Sequence, residues 1–129
     1  AILRVKLAHL DGQNARRQAI AARYDATCRE VGLEPPVRRE GAGHVFHLYV
    51  LRHPKRDAIM EALKAQGIGT GIHYPVPVHE QGAYAARTAL GPAGCAETSR
   101  AAKEVFSLPM YPELSDEQVD RVCDALRRL

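Results

Sequence analysis

Gly67-Ile68-Gly69-Thr70-Gly71-Ile72-His73-Tyr74-Pro75-Val76-Pro77-Val78-His79 is the stretch that decides how the rest of the chain is read. Its three glycines at alternate positions surround a short apolar strand. Glycine belongs where backbone turns with positive φ or where another group approaches it closely, so a ligand-facing edge is the natural reading. Pro75 and Pro77 each push the preceding residue towards extended geometry. His73, Tyr74 and His79 are therefore expected on an ordered ledge. On residue types alone, that ledge is either a binding surface or a proline-stiffened structural loop.

Upstream of the ledge, His44 to Arg52 is almost entirely apolar or aromatic and β-favouring, the pattern of a central strand covered on both faces. Pro54 suits the first turn of a helix. Ile59, Ala62, Leu63 and Gln66 then fall on one face before Gly67 ends it. Downstream, Gln81 to Leu90 reads as a short helix stopping at Gly91-Pro92, and Ala96 to Phe106 as an amphipathic one. Ser107-Leu108-Pro109-Met110-Tyr111-Pro112 must leave that helix, because neither proline continues it. Ser115-Asp116-Glu117-Gln118 is a capping box for a last helix with the stripe Val119, Val122, Cys123, Leu126 and Leu129.

The chain opens on Ala1-Ile2-Leu3-Arg4-Val5-Lys6-Leu7, already inside an apolar pattern and without a capping residue, which reads as a cut. Apolar positions continue at near-helical spacing to Val31, with Gly32 as the stop. This predicts one helix of about thirty residues, roughly 45 Å long, or two joined at Asp11-Gly12. Ile2, Leu3, Val5, Leu7 and Leu10 spread around nearly the whole circumference, so part of the helix is expected to pack on something outside this chain. Leu33 to Gly43 is a connector with a short edge strand at Glu34-Pro35-Pro36-Val37.

Composition narrows the class. With 129 residues, 46% hydrophobic and 26% charged, the chain can bury one core and has the balance of a soluble protein. No apolar run approaches the ~20 residues of a membrane helix, and no signal peptide opens the chain, so a cytoplasmic location is expected. The net charge is only +3, with 18 basic residues interleaved among 15 acidic ones, which argues against a nucleic-acid partner. Cys28, Cys95 and Cys123 lack CxxC spacing and read as buried free thiols. His73 and His79 have no third ligand at a zinc spacing, and His44 and His47 point to opposite faces of a strand. Neither a nucleophile elbow nor a phosphate loop is present. The residues by themselves give an α/β, two-layer domain with a candidate ligand rim.

The ledge, followed by Ser107-Leu108-Pro109-Met110-Tyr111-Pro112-Glu113-Leu114-Ser115, resembles the carboxy-terminal small domain of the DegT/DnrJ/StrS family of sugar aminotransferases, fold-type-I enzymes using pyridoxal phosphate. Asn14 to Tyr24, with the opening residues, is similar to the family's long helix leaving the large domain. His44-Val45-Phe46-His47-Leu48-Tyr49-Val50 resembles the first main strand of its small domain. The resemblance implies a small, mostly antiparallel sheet covered by helices, with residues 1–32 linking to a large domain and 33–129 forming the small one. It implies amino transfer, usually from glutamate, to a keto group on a nucleotide-linked sugar. The alternatives are a dehydratase-type member of the family or a non-catalytic binding or assembly module. The cofactor-binding lysine lies in the family's large domain, and none of Lys6, Lys55, Lys64 and Lys103 stands in its motif. The chain alone is thus expected to be inactive and to hold no pyridoxal phosphate, with a homo-oligomer as its assembly. The resemblance places His73, Tyr74 and His79, together with Ser107, Leu108 and Pro109, on the substrate side, where they would bind and stack without moving protons.

Overall fold

The computed structural model describes residues 1–85, 87 and 89–129. Its elements are α1 (Ile2–Leu7), α2 (Leu10–Glu30), β1 (Tyr49–Arg52), α3 (Arg56–Ala65), a 3-10 turn (Val78–Glu80), α4 (Ala96–Glu104), β2 (Val105–Leu108) and α5 (Asp116–Arg127). The architecture is α+β, a small antiparallel sheet with helices packed on it, as the family resemblance implies.

The opening helix is two helices, but the break falls at Ala8-His9 and not at Asp11-Gly12. The His9 N–H donates to Lys6 O at 3.1 Å, a tightened turn, and α-helical bonding resumes with Gln13 N–H on His9 O at 3.0 Å. No side chain caps the junction, so it leaves no mark in the sequence. Only the second half of α2 is buried. Ile20, Ala21, Tyr24, Asp25, Thr27 and Cys28 recur at helical intervals on one face and pack towards the core and α5.

The edge strand expected at Glu34-Pro35-Pro36-Val37 does not form. Pro35 and Pro36 have no N–H to give to a ladder, and Val37 is 96% exposed. Side chains hold this segment instead. Arg38 pairs with the buried Asp25 and stands 4.9 Å over the Phe46 ring. The Tyr49 hydroxyl donates to Asp25 Oδ1 at 2.7 Å. Phe46 takes φ 49°, a left-handed conformation rare for an aromatic residue, and its N–H donates to His44 Nδ1 at 2.9 Å. That turn and the bend after it break the pleat, so the strand expected over residues 44–52 is confined to Tyr49–Arg52.

β1 is also not the central strand. Tyr49 and Leu51 are buried, Val50 is half-buried and Arg52 is exposed, so only one face is covered. The middle position belongs to β2, which pairs with β1 from Tyr49↔Leu108 to Arg52↔Val105 and on its other side forms a bridge, Gly71↔Ser107. α4 runs directly into β2: Val105 is already extended at φ −79°, ψ 143°. Val105 and Phe106, expected at the end of the helix, are β-favouring residues that the sheet takes.

α3 ends as predicted at Gly67. Its φ is +76°, and the Schellman pair is complete: Gly67 N–H to Lys64 O at 2.9 Å and Ile68 N–H to Leu63 O at 2.9 Å, with Ile68 and Leu63 both buried. Its start differs. Pro54 precedes the Lys55 N-cap, and His53 supplies acceptors to Lys55 N–H (3.0 Å, Nδ1) and Arg56 N–H (3.0 Å, carbonyl). The helix expected over 81–90 includes positions 86 and 88, which lie outside the described residues. Residues 82–85 and 87 form turns, with the Tyr84 and Ala85 N–H groups both on Gln81 O at 2.8 Å.

The α5 capping box is present, with Gln118 N–H on Ser115 Oγ at 3.2 Å and Ser115 N–H on Gln118 Oε1 at 3.0 Å. Val119, Val122, Cys123, Ala125 and Leu126 are buried, whereas Leu129 lies past the helix end and is 49% exposed. Tyr24, Phe46, Tyr49 and Phe106 form the aromatic centre of the core. The Tyr24 and Tyr49 rings meet edge-on, 5.2 Å apart. Cys28 and Cys123 are buried free thiols, but Cys95, half-exposed at the N-cap of α4, is not.

Candidate substrate site

The Gly71↔Ser107 bridge sets the two motif segments side by side: Gly71 N–H donates to Ser107 O at 3.2 Å and Ser107 N–H to Gly71 O at 2.7 Å. Two residues beyond Gly71, the His73 ring folds back over the glycine. A Cβ on Gly71 would stand 3.0 Å from His73 Cε1, tighter than ordinary packing, so glycine here makes room for the imidazole. His73 Nδ1 lies 3.2 Å from Ser107 Oγ, and Ser107 is buried. The histidine is thus pinned from below by a hydroxyl that solvent does not reach. Among the described residues no partner engages its Nε2. The His73-Tyr74 peptide is cis. Tyr74 is 78% exposed, its ring 6.0 Å from that of His73 and nearly perpendicular to it.

Next to Tyr74 lies an open groove of ≈ 400 Å³. Val76, Pro77 and Val78 of the ledge form one wall, and Thr98, Ala101 and Ala102 of α4 the other. Neither lysine, arginine nor carboxylate lines it. The rim offers ring nitrogen and phenol groups above an apolar trough, suited to hydrogen bonding and stacking on a polar ring with apolar faces.

The other expected site residues are distributed differently. His79 does not line the groove: its Nε2 faces Ser99 Oγ at 3.1 Å, because the 3-10 turn brings it over α4. Leu108 belongs to the core, since on the alternating strand it shares the face of Phe106, opposite Ser107. Pro109 lines a separate small recess with Gly67, Gly69 and Tyr111. Its carbonyl accepts from the Tyr24 hydroxyl at 3.0 Å. Burial pushes the Tyr24 phenol well above its ordinary value, so it remains a donor to that carbonyl. The structure therefore brings together His73, Ser107 and Tyr74. Thr98, Ala101, Glu80 and Ser99 were not foreseen. Thr98, Ala101 and Ser99 lie well beyond the motif in sequence, and Glu80, although next to His79, carries no pattern that points to Ser99.

A sheet of this form, bridged to a His-Tyr-Pro ledge and covered by helices, is a fold of the sugar-aminotransferase class. It superimposes on S. venezuelae DesV, solved in complex with ketimine intermediate, with a TM-score of 0.90 at 40% identity, over 98% of this chain and 34% of that one. The chain belongs to the DegT/DnrJ/EryC1/StrS aminotransferase family, which it matches over residues 1–127. It is 42% identical to the dTDP-3-amino-3,4,6-trideoxy-alpha-D-glucose transaminase of Micromonospora megalomicea subsp. nigra, over 99% of this chain and 35% of the relative. It is 43% identical to the "Pleiotropic regulatory protein" of Geobacillus stearothermophilus, over 98% of this chain and 34% of the relative. The chain thus spans about a third of the length of the curated relatives it matches. Among the described residues, no helix is long and apolar enough to cross a membrane.

Proposed function

We propose that this chain is the small-domain portion of an aminotransferase that moves an amino group, with glutamate as donor, onto a keto carbon of a nucleotide-linked sugar. In this reading His73 and Tyr74 face the sugar, Ser107 fixes the His73 ring, and Pro109 shapes the backbone behind it. The observation that carries it is the pinned His73 beside an exposed Tyr74, at the junction of the two segments that carry the family resemblance. Positioning of this kind lowers the barrier by holding the reacting carbon in place, with no proton taken by the ledge itself.

The residues present do not make a pyridoxal phosphate site by themselves. The groove is lined by neither lysine nor carboxylate, and Lys6, Lys55, Lys64 and Lys103 are all exposed elsewhere. Cofactor and chemistry would come from a large domain. The surface of α1 supports such a partner: Ile2, Leu3, Val5 and Leu7 are 67–82% exposed, too much contiguous apolar surface for a helix meant to face water. Residues 1–32 would then be the helix that joins the two domains.

The test pairs the chain with a lysine-bearing large domain and compares it with the chain alone. Glutamate-dependent amination of a nucleotide-linked keto sugar is expected only from the pair. Turnover by the chain alone, or borohydride-fixed cofactor on one of its four lysines, would contradict the assignment.

A further inference from the structure

The ledge is anchored at both ends, and only one anchor lies at the substrate. His73 is held by Ser107. At the far end, the 3-10 turn Val78–Glu80 is fastened to α4 by three side chains. Ser99 Oγ donates to Glu80 Oε1, and His79 Nε2 stands 3.1 Å from Ser99 Oγ and 3.4 Å from Glu80 Oε1. The His79 side chain is 14% exposed. The two elements joined this way are the two walls of the groove: the ledge with Val76, Pro77 and Val78, and α4 with Thr98, Ala101 and Ala102.

The direction of each hydrogen bond follows from the chemistry. A carboxylate only accepts, so the single proton of Ser99 is committed to Glu80. The Ser99 oxygen and the carboxylate then both require a donor, and His79 Nε2 must carry the hydrogen. Nε2–H is present in one neutral tautomer and in the imidazolium alike. The same assignment excludes a nucleophilic triad. A protonated Nε2 cannot take the serine's proton, and the carboxylate lies on the serine and not on Nδ1.

We infer that His79, Ser99 and Glu80 form a clamp that sets the width of the groove beside Tyr74, and that Ser99 and Glu80 are positioning residues for the sugar. The inference rests on the proposed function for its catalytic readout but not for its structural one. The turn's own hydrogen bonds, Glu80 N–H to Pro77 O at 2.9 Å and Gln81 N–H to Val78 O at 3.2 Å, report the clamp without any substrate.

In the assembled enzyme, Ser99→Ala is expected to speed hydrogen exchange at the Glu80 and Gln81 amides by about tenfold, roughly the loss of one charge-assisted hydrogen bond. It is also expected to raise KM for the nucleotide sugar by about five- to tenfold, with kcat and the glutamate half-reaction nearly unchanged. Ser99→Thr, which keeps the hydroxyl, and His79→Gln, which keeps a donor at the Nε2 position, should each show little of either effect. Faster exchange in an enzyme without sugar activity would uphold the clamp while removing the functional reading. Unchanged exchange in Ser99→Ala, or a KM that rises equally in Ser99→Thr, would overturn the clamp.

Discussion

Asp25→Ala is expected to lower the stability of the chain by about 3 kcal/mol, a hundredfold or more in the folding constant. Asp25 is almost fully buried, yet it receives the Tyr49 hydroxyl at 2.7 Å and the Arg38 guanidinium. Alanine there leaves a buried phenol, which burial keeps neutral and in need of an acceptor, with only the weak contact to Cys28 Sγ at 3.9 Å. It also releases Arg38, and with it the contact over Phe46 that holds residues 34–46 against the core. The arginine side chain is 42% exposed, so its freed charge reaches water and the loss stays at the lower end of the range for broken buried pairs. Asp25→Asn keeps an acceptor for Tyr49 and should cost about half as much. A urea titration checks this: the alanine variant should fall by about 1–2 M in midpoint. A midpoint unchanged within about 0.3 M would show that the segment is held by Phe46 burial alone.

The second large effect concerns the ledge. In the assembled enzyme His73→Ala is expected to reduce kcat/KM for the nucleotide sugar by about 10- to 100-fold, the scale of one or two well-placed hydrogen bonds in a desolvated site. The half-reaction with glutamate should change by less than about threefold. Ser107→Ala should produce a smaller loss of the same kind, because it frees the ring without removing it. Tyr74→Phe should weaken sugar binding in proportion to the hydroxyl's share alone. Equal losses in both half-reactions would mean that the ledge does not sit at the sugar end.

The parts of this structure legible in the sequence are those whose signals are local. The capping box at Ser115 and the helix stop at Gly67 each need only a few adjacent residues, and both are found where expected. The α3 face of Ile59 and Leu63 follows from periodicity in the same way. What was misread depends on distant partners. The run from His44 to Arg52 has β-favouring composition throughout, but a left-handed turn at Phe46, which packs under Arg38, delays the start of the strand to Tyr49. Val105 and Phe106 fit an amphipathic helix by spacing, and only their pairing with Arg52 and Leu51 of β1 draws them into the sheet. At the candidate site, the motif singled out His73 and Tyr74, which lie together beside Ser107, and the alternate glycines hinted at the close approach over Gly71. The orientation of His79 depends on Ser99, 20 residues further along the chain, and no spacing rule connects the two.

The most direct measurement is hydrogen exchange on the assembled enzyme, with and without a nucleotide sugar and with and without glutamate. If the ledge is the sugar-facing wall of an aminotransferase, the nucleotide sugar protects the backbone amides of residues 71–79 and those of Ser107 and its neighbours, while glutamate leaves them unchanged. Protection by glutamate to the same degree, or saturation with the sugar nucleotide without any slowing across residues 71–79, would contradict it.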